Sequence, residues 1–257
     1  MNNNRVQVLQ QALKNRTLVK AIAGISNENL ASVAAVVTAA NQAGVLAIDV
    51  AATPAVVTHA RALTDAVLFA SSVSPKALLA AVEAGADVVE IGNYDGLYAE
   101  GAFFGAEAVL HLAQETVALI GDKAPVCVTI PGHLSVTVQL ELLHSLKAIG
   151  CTMVQTEGAI RLLGSTPEVK LLENTEKALL AIENAKVLAK ANILPVMAAS
   201  GLNAGNVALA INAGAVAVGI GTAINQLPTV EAMVAELTAI QTTVTVAANQ
   251  ATLAIAG

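Results

Sequence analysis

Gly44-Val45-Leu46-Ala47-Ile48-Asp49-Val50-Ala51 decides the fold, because its pattern returns three times along the chain. The returns are Gly85-Ala86-Asp87-Val88-Val89-Glu90-Ile91-Gly92, Gly150-Cys151-Thr152-Met153-Val154-Gln155-Thr156-Glu157 and Gly214-Ala215-Val216-Ala217-Val218-Gly219-Ile220-Gly221. Each glycine ends an apolar-periodic, helix-like segment. The fourth and sixth residues after it are always β-branched: Ile48, Val89, Val154, Val218, then Val50, Ile91, Thr156, Ile220. That is what a strand face packed on helices prefers. Side chains alternate along a strand, so the third, fifth and seventh residues share the opposite face. On that face Ala47, Val88, Met153 and Ala217 form an apolar row, Asp49, Glu90, Gln155 and Gly219 a polar row, and Ala51, Gly92, Glu157 and Gly221 a roomy last row with one carboxylate.

Outward from these four, strand-like runs begin near Leu18, Val45, Val67, Ala86, Val126, Thr152, Leu194 and Ala215. Helical segments such as Asn27 to Gln42, Pro75 to Ala84, Ser135 to Ile149 and Glu173 to Ala191 separate them, with Ser74, Ser135 and Asn203 placed as caps. Eight strand–helix units without a linker predict an α/β chain forming one (β/α)8 TIM barrel over residues 1–257. Residues 1–16 read as an N-terminal helical extension. The last helix starts near Pro228, and residues 237–257 read as an Ala/Thr-rich C-terminal helix and tail. The four repeats are then strands two, four, six and eight, and a barrel layer takes its side chains from alternate strands. Matching Val19-Lys20-Ala21 to Val196-Met197-Ala198, and Val126-Cys127-Val128-Thr129 to Val196-Met197-Ala198-Ala199, turns Lys20, Cys127, Thr129 and Met197 inward.

Composition excludes several function classes. Thirteen basic against nineteen acidic residues give a net charge of −6, which argues against a nucleic-acid surface or a polybasic membrane patch. The mean hydropathy is +0.67, and no charge occurs between Lys190 and Glu231. Pro195, Gly201, Gly205, Gly214, Gly219, Gly221 and Pro228 interrupt that run, whereas a spanning helix needs roughly 20 apolar residues in a row. No membrane span is predicted. Only 12% of residues are charged, about half the usual ~25%, so outer helix faces are expected to bury against a second subunit in a homodimer. Cys127 and Cys151 match no zinc-ligand spacing, and no HxH or HExxH motif occurs, so no metal is predicted. Met1-Asn2-Asn3-Asn4-Arg5 lacks an apolar secretory core, which points to a reduced, cytoplasm-like compartment.

Lys20, Asp49 and Glu90 bring ionisable groups into one barrel interior, where unpaired charge is costly. Such a set is either a tuned acid/base constellation, with Lys20 as Schiff-base former or proton donor, or a structural ion network. The loops after strands seven and eight, Ala199-Ser200-Gly201-Leu202-Asn203 and Gly219-Ile220-Gly221-Thr222-Ala223-Ile224-Asn225, are glycine-rich where many barrels bind phosphate on backbone N–H groups. Ser200, Gly201, Gly219, Gly221 and Thr222 are therefore the candidate phosphate cradle. Gly219-Ile220-Gly221 lacks the third glycine of a dinucleotide fingerprint. Asn93, Thr129, His133, Gln155 and Glu157 lie on inward strand positions or following loops as candidate substrate contacts. Four of the five aromatics, Tyr94, Tyr98, Phe103 and Phe104, crowd the loop after strand four, as a ligand wall, a self-packed loop or a subunit contact. Arg161, in the other long loop, reads as an anion clamp or a solvated surface residue.

Ala84-Gly85-Ala86-Asp87-Val88-Val89-Glu90-Ile91-Gly92-Asn93, Gln155-Thr156-Glu157-Gly158, Ala199-Ser200-Gly201-Leu202 and Gly219-Ile220-Gly221-Thr222-Ala223-Ile224-Asn225 together resemble a family of hypothetical chloroplast reading frames found in cyanobacteria and algal plastids. The resemblance runs from Lys20 to Asn225. It implies an aldolase-type barrel in the cyanobacterial cytoplasm or plastid stroma and carries no reaction with it. Read from the residues, the chain is expected to bind a small phosphorylated metabolite and to perform proton-transfer chemistry of lyase or isomerase type. No cofactor is needed for that chemistry. The alternatives are a flavin mononucleotide whose phosphate fills the same cradle, and a non-catalytic metabolite-binding scaffold.

Overall fold

The four repeated glycines turn helix into strand. Gly44, Gly85, Gly150 and Gly214 have φ of +72°, +114°, +100° and +110°, a region where a Cβ is strained. The computed structural model describes residues 3–92, 94–98, 101–159 and 167–256. Helix α1 (Asn3–Asn15) precedes β1 (Leu18–Ile22), α2 (Leu30–Ala43), β2 (Ala47–Ala51), α3 (Pro54–Leu63), β3 (Val67–Ser72), α4 (Pro75–Glu83) and β4 (Val88–Ile91). A single turn, α5 (Asp95–Tyr98), leads to α6 (Ala106–Ile120), β5 (Val126–Ile130), α7 (Val136–Ala148), β6 (Met153–Thr156) and α8 (Pro167–Ala191). Then come β7 (Val196–Ala199), α9 (Val207–Asn212), β8 (Ala217–Ile220), α10 (Thr222–Asn225) and α11 (Val230–Ala256). Every strand starts within two residues of its expected position. Helix α8 begins six residues before the Glu173 expected for it, with Pro167 at the first helical position.

All neighbouring strands are parallel, and β8 pairs with β1 to close a (β/α)8 barrel. The register pairs Lys20 with Ala47 and Gly219, Asp49 with Phe69, Glu90 with Cys127 and Gln155 with Met197. Because barrel strands tilt, one level draws on alternate strands. The apolar level Ala47, Val88, Met153, Ala217 is followed by Lys20, Phe69, Cys127, Met197, and then by the polar level Asp49, Glu90, Gln155, Gly219. Apart from Lys20, the two lower levels belong to one buried apolar cluster that also contains Leu9 and Ala12 of α1. Helix α1 thus closes the bottom of the barrel. Its Arg5 donates to the buried Asp87 at 2.9 Å, as does Arg61 of α3.

The larger apolar cluster lies between the strands and the outer helices. In α11, Leu237, Ile240, Val244, Ala247 and Ala248 are buried at helical spacing, and the helix packs on α2 and α9. The Ala/Thr-rich segment is therefore a continuous helix to Ala256. No helix among the described residues is long and apolar enough to cross a membrane.

Candidate active site at the barrel mouth

The polar level is a hydrogen-bonded network with no solvent-reached ion. Lys20, Asp49 and Glu90 are all fully buried. Lys20 Nζ donates to Glu90 Oε2 at 2.5 Å and lies 4.9 Å from the centre of the Phe69 ring. Gln155 Nε2 donates to the other Glu90 oxygen at 2.9 Å and to Thr129 Oγ1 at 3.3 Å. Burial, and after it the charge of Glu90, push the Cys127 thiol pKa well up. Asp49 instead accepts from Ser71 Oγ at 2.6 Å. Burial pushes the Lys20 ammonium down, but the charges of Glu90 and Asp49 outweigh it, and the net direction is upward. That direction favours the ammonium form of Lys20.

One level higher, Glu157 directly follows β6 and is 3% exposed. Its Oε1 accepts from Tyr98 Oη at 2.5 Å and from the Gly132 amide at 3.2 Å. The aromatic loop after β4 thus touches the site through the Tyr98 hydroxyl. Otherwise the rings pack on each other: Tyr94 stacks on Phe104 at 4.4 Å, and Phe103 lies 4.6 Å from the His133 ring. His133 is exposed on that outer rim, and partial desolvation of its ring lowers its pKa from the usual value.

Above the network opens a cavity of about 610 Å³. Its floor is Thr129, Gln155 and Glu157, and one wall is Ser200, Gly201, Gly221 and Thr222. These are seven of the thirteen residues singled out from the sequence. Gly219 lies just beneath, and a Cβ there would meet Ala199 at 3.0 Å and Gln155 Oε1 at 3.1 Å. Lys20, Asp49 and Glu90 sit below the floor, His133 sits apart from it, and Asn93 and Arg161 fall outside the described residues. The opposite walls come from Ser26 and Asn27 after β1 and from Lys170, Glu173, Asn174 and Lys177 of α8. Sequence reading missed the α8 wall; Pro167, a helix-opening residue, was the signal available.

Gly201 and Gly221 differ in why they are glycine. Gly201 has φ of +68°, and a Cβ would lie 2.1 Å from the Asn174 carbonyl oxygen. At Gly221 the nearest atoms would be 4.0 Å away, so the space beside it is open. The Thr222 and Ala223 amides open α10, where N–H groups have no intrahelical acceptor. Asn225 Nδ2 ties this turn to the Ile22 carbonyl at 3.2 Å.

Residues 1–250 match the family described as protein of unknown function (DUF561). The chain belongs to this family. The plastid resemblance agrees with it: the uncharacterized protein ycf23 of Cyanophora paradoxa is 32% identical over 166 residues, 64% of this chain and 66% of that protein. The ycf23 protein of Antithamnion sp. is 30% identical over 158 residues, 62% of this chain and 57% of that one. The matched region thus spans less than two thirds of these relatives' length. Among solved structures, a 3-hexulose-6-phosphate synthase superposes with a TM-score of 0.62 at 14% identity, covering 88% of this chain and 99% of that one. Thiamine phosphate pyrophosphorylase from Pyrococcus furiosus gives 0.61 at 15% identity, covering 91% and 98%. KGPDC from Streptococcus mutans, solved with D-R5P, gives 0.60 at 14% identity, covering 89% and 97%. At these identities the likeness is one of fold: this DUF561 member shares the closed (β/α)8 barrel with these proteins.

Proposed function

We propose that this chain binds a small phosphorylated metabolite at the barrel mouth and moves a proton on it, as a lyase or isomerase does. The observation that carries the reading is Glu157: a carboxylate at the cavity floor, oriented by the Tyr98 hydroxyl and the Gly132 amide, facing the same cavity as the loops after β7 and β8. The phosphate would sit on the Ser200–Gly201 and Gly221–Thr222 backbone, with Gly219 keeping the base of the cradle shallow. That anchoring holds the carbon end over Glu157, and fixed proximity supplies much of such a rate enhancement. Glu157 takes the proton next to a carbonyl, and Thr129 and Gln155 meet the substrate's oxygens.

Lys20 and Glu90 support this from below. The ion pair holds the Gln155 amide through Glu90 Oε1. Glu90 first, and Asp49 after it, raise the pKa of the Lys20 ammonium. The solved barrels described above include proteins named for phosphorylated compounds, which agrees with this reading at the level of fold.

The test is solvent exchange. Phosphorylated aldoses and ketoses are incubated with the protein in D2O, and deuterium uptake at carbons next to the carbonyl is followed by NMR. Uptake with the wild type and its loss in Glu157→Gln are expected. No uptake by the wild type with any compound, together with no phosphate binding, would sink the proposal.

A further inference from the structure

Two glycines from different loops receive the same turn of α8. As described above, a Cβ on Gly201 would strike the Asn174 carbonyl; it would also lie 2.9 Å from the Ala178 amide nitrogen. A Cβ on Gly158, after β6, would lie 2.4 Å from Lys177 Cα and 2.6 Å from its carbonyl oxygen. The backbone of Asn174–Ala178 is thus seated directly on the ends of β6 and β7. Outer helices of a barrel usually stand off from the mouth by their side chains. Here backbone meets backbone.

The seating has a chemical consequence. It brings Lys177 and Glu173 to the wall of the mouth cavity, which Ser200, Gly201, Gly221 and Thr222 also line. The Lys177 side chain is only 14% exposed, and its Nζ lies 2.9 Å from Glu173 Oε1. A lysine paired one turn along an outer helix is ordinarily solvated, as Lys186 of the same helix is at 63% exposure. Lys177 is instead largely buried and lines the cavity.

We infer that Lys177 completes the phosphate site, its ammonium facing an anion held by the loops after β7 and β8, with Glu173 as the internal counter-ion. An ammonium has three N–H donors, so one nitrogen can hold Glu173 and a phosphate oxygen together. Lysine serves as a point-charge phosphate binder. The site therefore selects a dianionic phosphate monoester over the uncharged polyol of the same shape. This deepens the proposed function and rests on its phosphate cradle.

Binding of inorganic phosphate is measured by calorimetry at constant ionic strength, so that screening does not vary. Lys177→Ala is expected to weaken binding about ten- to a hundredfold, the range of a charge-assisted hydrogen bond. Lys177→Arg is expected to keep most of the affinity, and Lys186→Ala all of it. Glu173→Gln, which removes the competing anion, is expected to tighten binding roughly two- to fivefold; a purely structural role for the pair would not do that. Equal phosphate affinity in wild type, Lys177→Ala and Glu173→Gln overturns this inference and leaves the cradle standing. Absence of phosphate binding in the wild type overturns the cradle and this inference with it. Should Lys177→Ala fail to fold, Glu173→Gln alone decides, and an unchanged affinity counts against the inference.

Discussion

Lys20 and Glu90 meet at 2.5 Å inside the barrel, and neither side chain is reached by solvent. They come from β1 and β4, on adjacent levels of the interior. Removing one member strands the other as an uncompensated buried charge, which costs about 3–5 kcal/mol. Lys20→Met and Glu90→Gln are each expected to lower stability by that order in urea titrations. The double variant Lys20→Met/Glu90→Gln is expected to lose clearly less than the sum of the two. Strict additivity would show that the two groups are not coupled.

Gly201 and Gly221 are expected to respond oppositely to alanine. At Gly201 the positive φ and the Asn174 carbonyl 2.1 Å from a new Cβ leave no room. Gly201→Ala is expected to cost well over about 1 kcal/mol and to loosen α8. At Gly221 the nearest atoms stand 4.0 Å from a new Cβ, so Gly221→Ala is expected to keep the melting temperature while the added methyl weakens phosphate binding. Melting curves and phosphate titrations on the same two variants check both halves. A destabilised Gly221→Ala that binds phosphate normally would contradict the reading of that loop.

The buried groups that titrate at high pH shift stability in one direction. Burial pushes the Cys151 thiol up from 9.0 to about 12. Burial and the charge of Glu90 push Cys127 well above 9.0. The Tyr94 phenol is likewise raised well above 10.0, and Lys20 is raised from 10.5. Each of these groups keeps its proton in the folded chain at a pH where the unfolded chain has lost it. Stability is therefore fully present below about pH 9 and falls as the pH rises from there through the folded values. Melting temperatures across pH 7–11 are expected to decline only on the alkaline side, and a flat profile up to pH 11 would refute this.

Asp87 clasps the bottom helix to the barrel. It accepts from Arg5 at 2.9 Å, from Arg61 at 2.9 Å and from the Leu68 amide at 3.0 Å. Asp87→Ala leaves two part-buried guanidinium groups and one amide without their acceptor, an expected loss of about 2–4 kcal/mol. Hydrogen exchange at Leu68 is expected to accelerate, and α1 to exchange faster as a unit. Unchanged protection of α1 would show that Leu9 and Ala12 hold it without the clasp.

The Glu157 environment shows where sequence reading stopped. The strand pattern placed its carboxylate at the top level of the barrel, and it is there. Nothing local connected it to Tyr98, which lies 59 positions away and reaches it from a one-turn helix. Phe103 and His133 show the converse: both follow strands on the catalytic side, yet they pack on each other at the rim. A loop's position in the chain says which end of the barrel it joins, and its own packing decides what it faces.

What the chain's order alone determined is the barrel and its interior. Glycine at a helix end, followed by alternating inward and outward residues, is a local constraint on φ and on side-chain direction. It is therefore readable residue by residue, down to Lys20, Asp49, Glu90 and Gln155 pointing inward. What the tertiary structure alone decided is which inward groups touch and what covers the mouth. Glu90 took Lys20 and Gln155 while Asp49 took Ser71, and α8 delivered Lys177 to the cavity wall. Those outcomes depend on barrel register and on how closely a helix can approach two glycines, distances in space that no periodicity along the chain encodes.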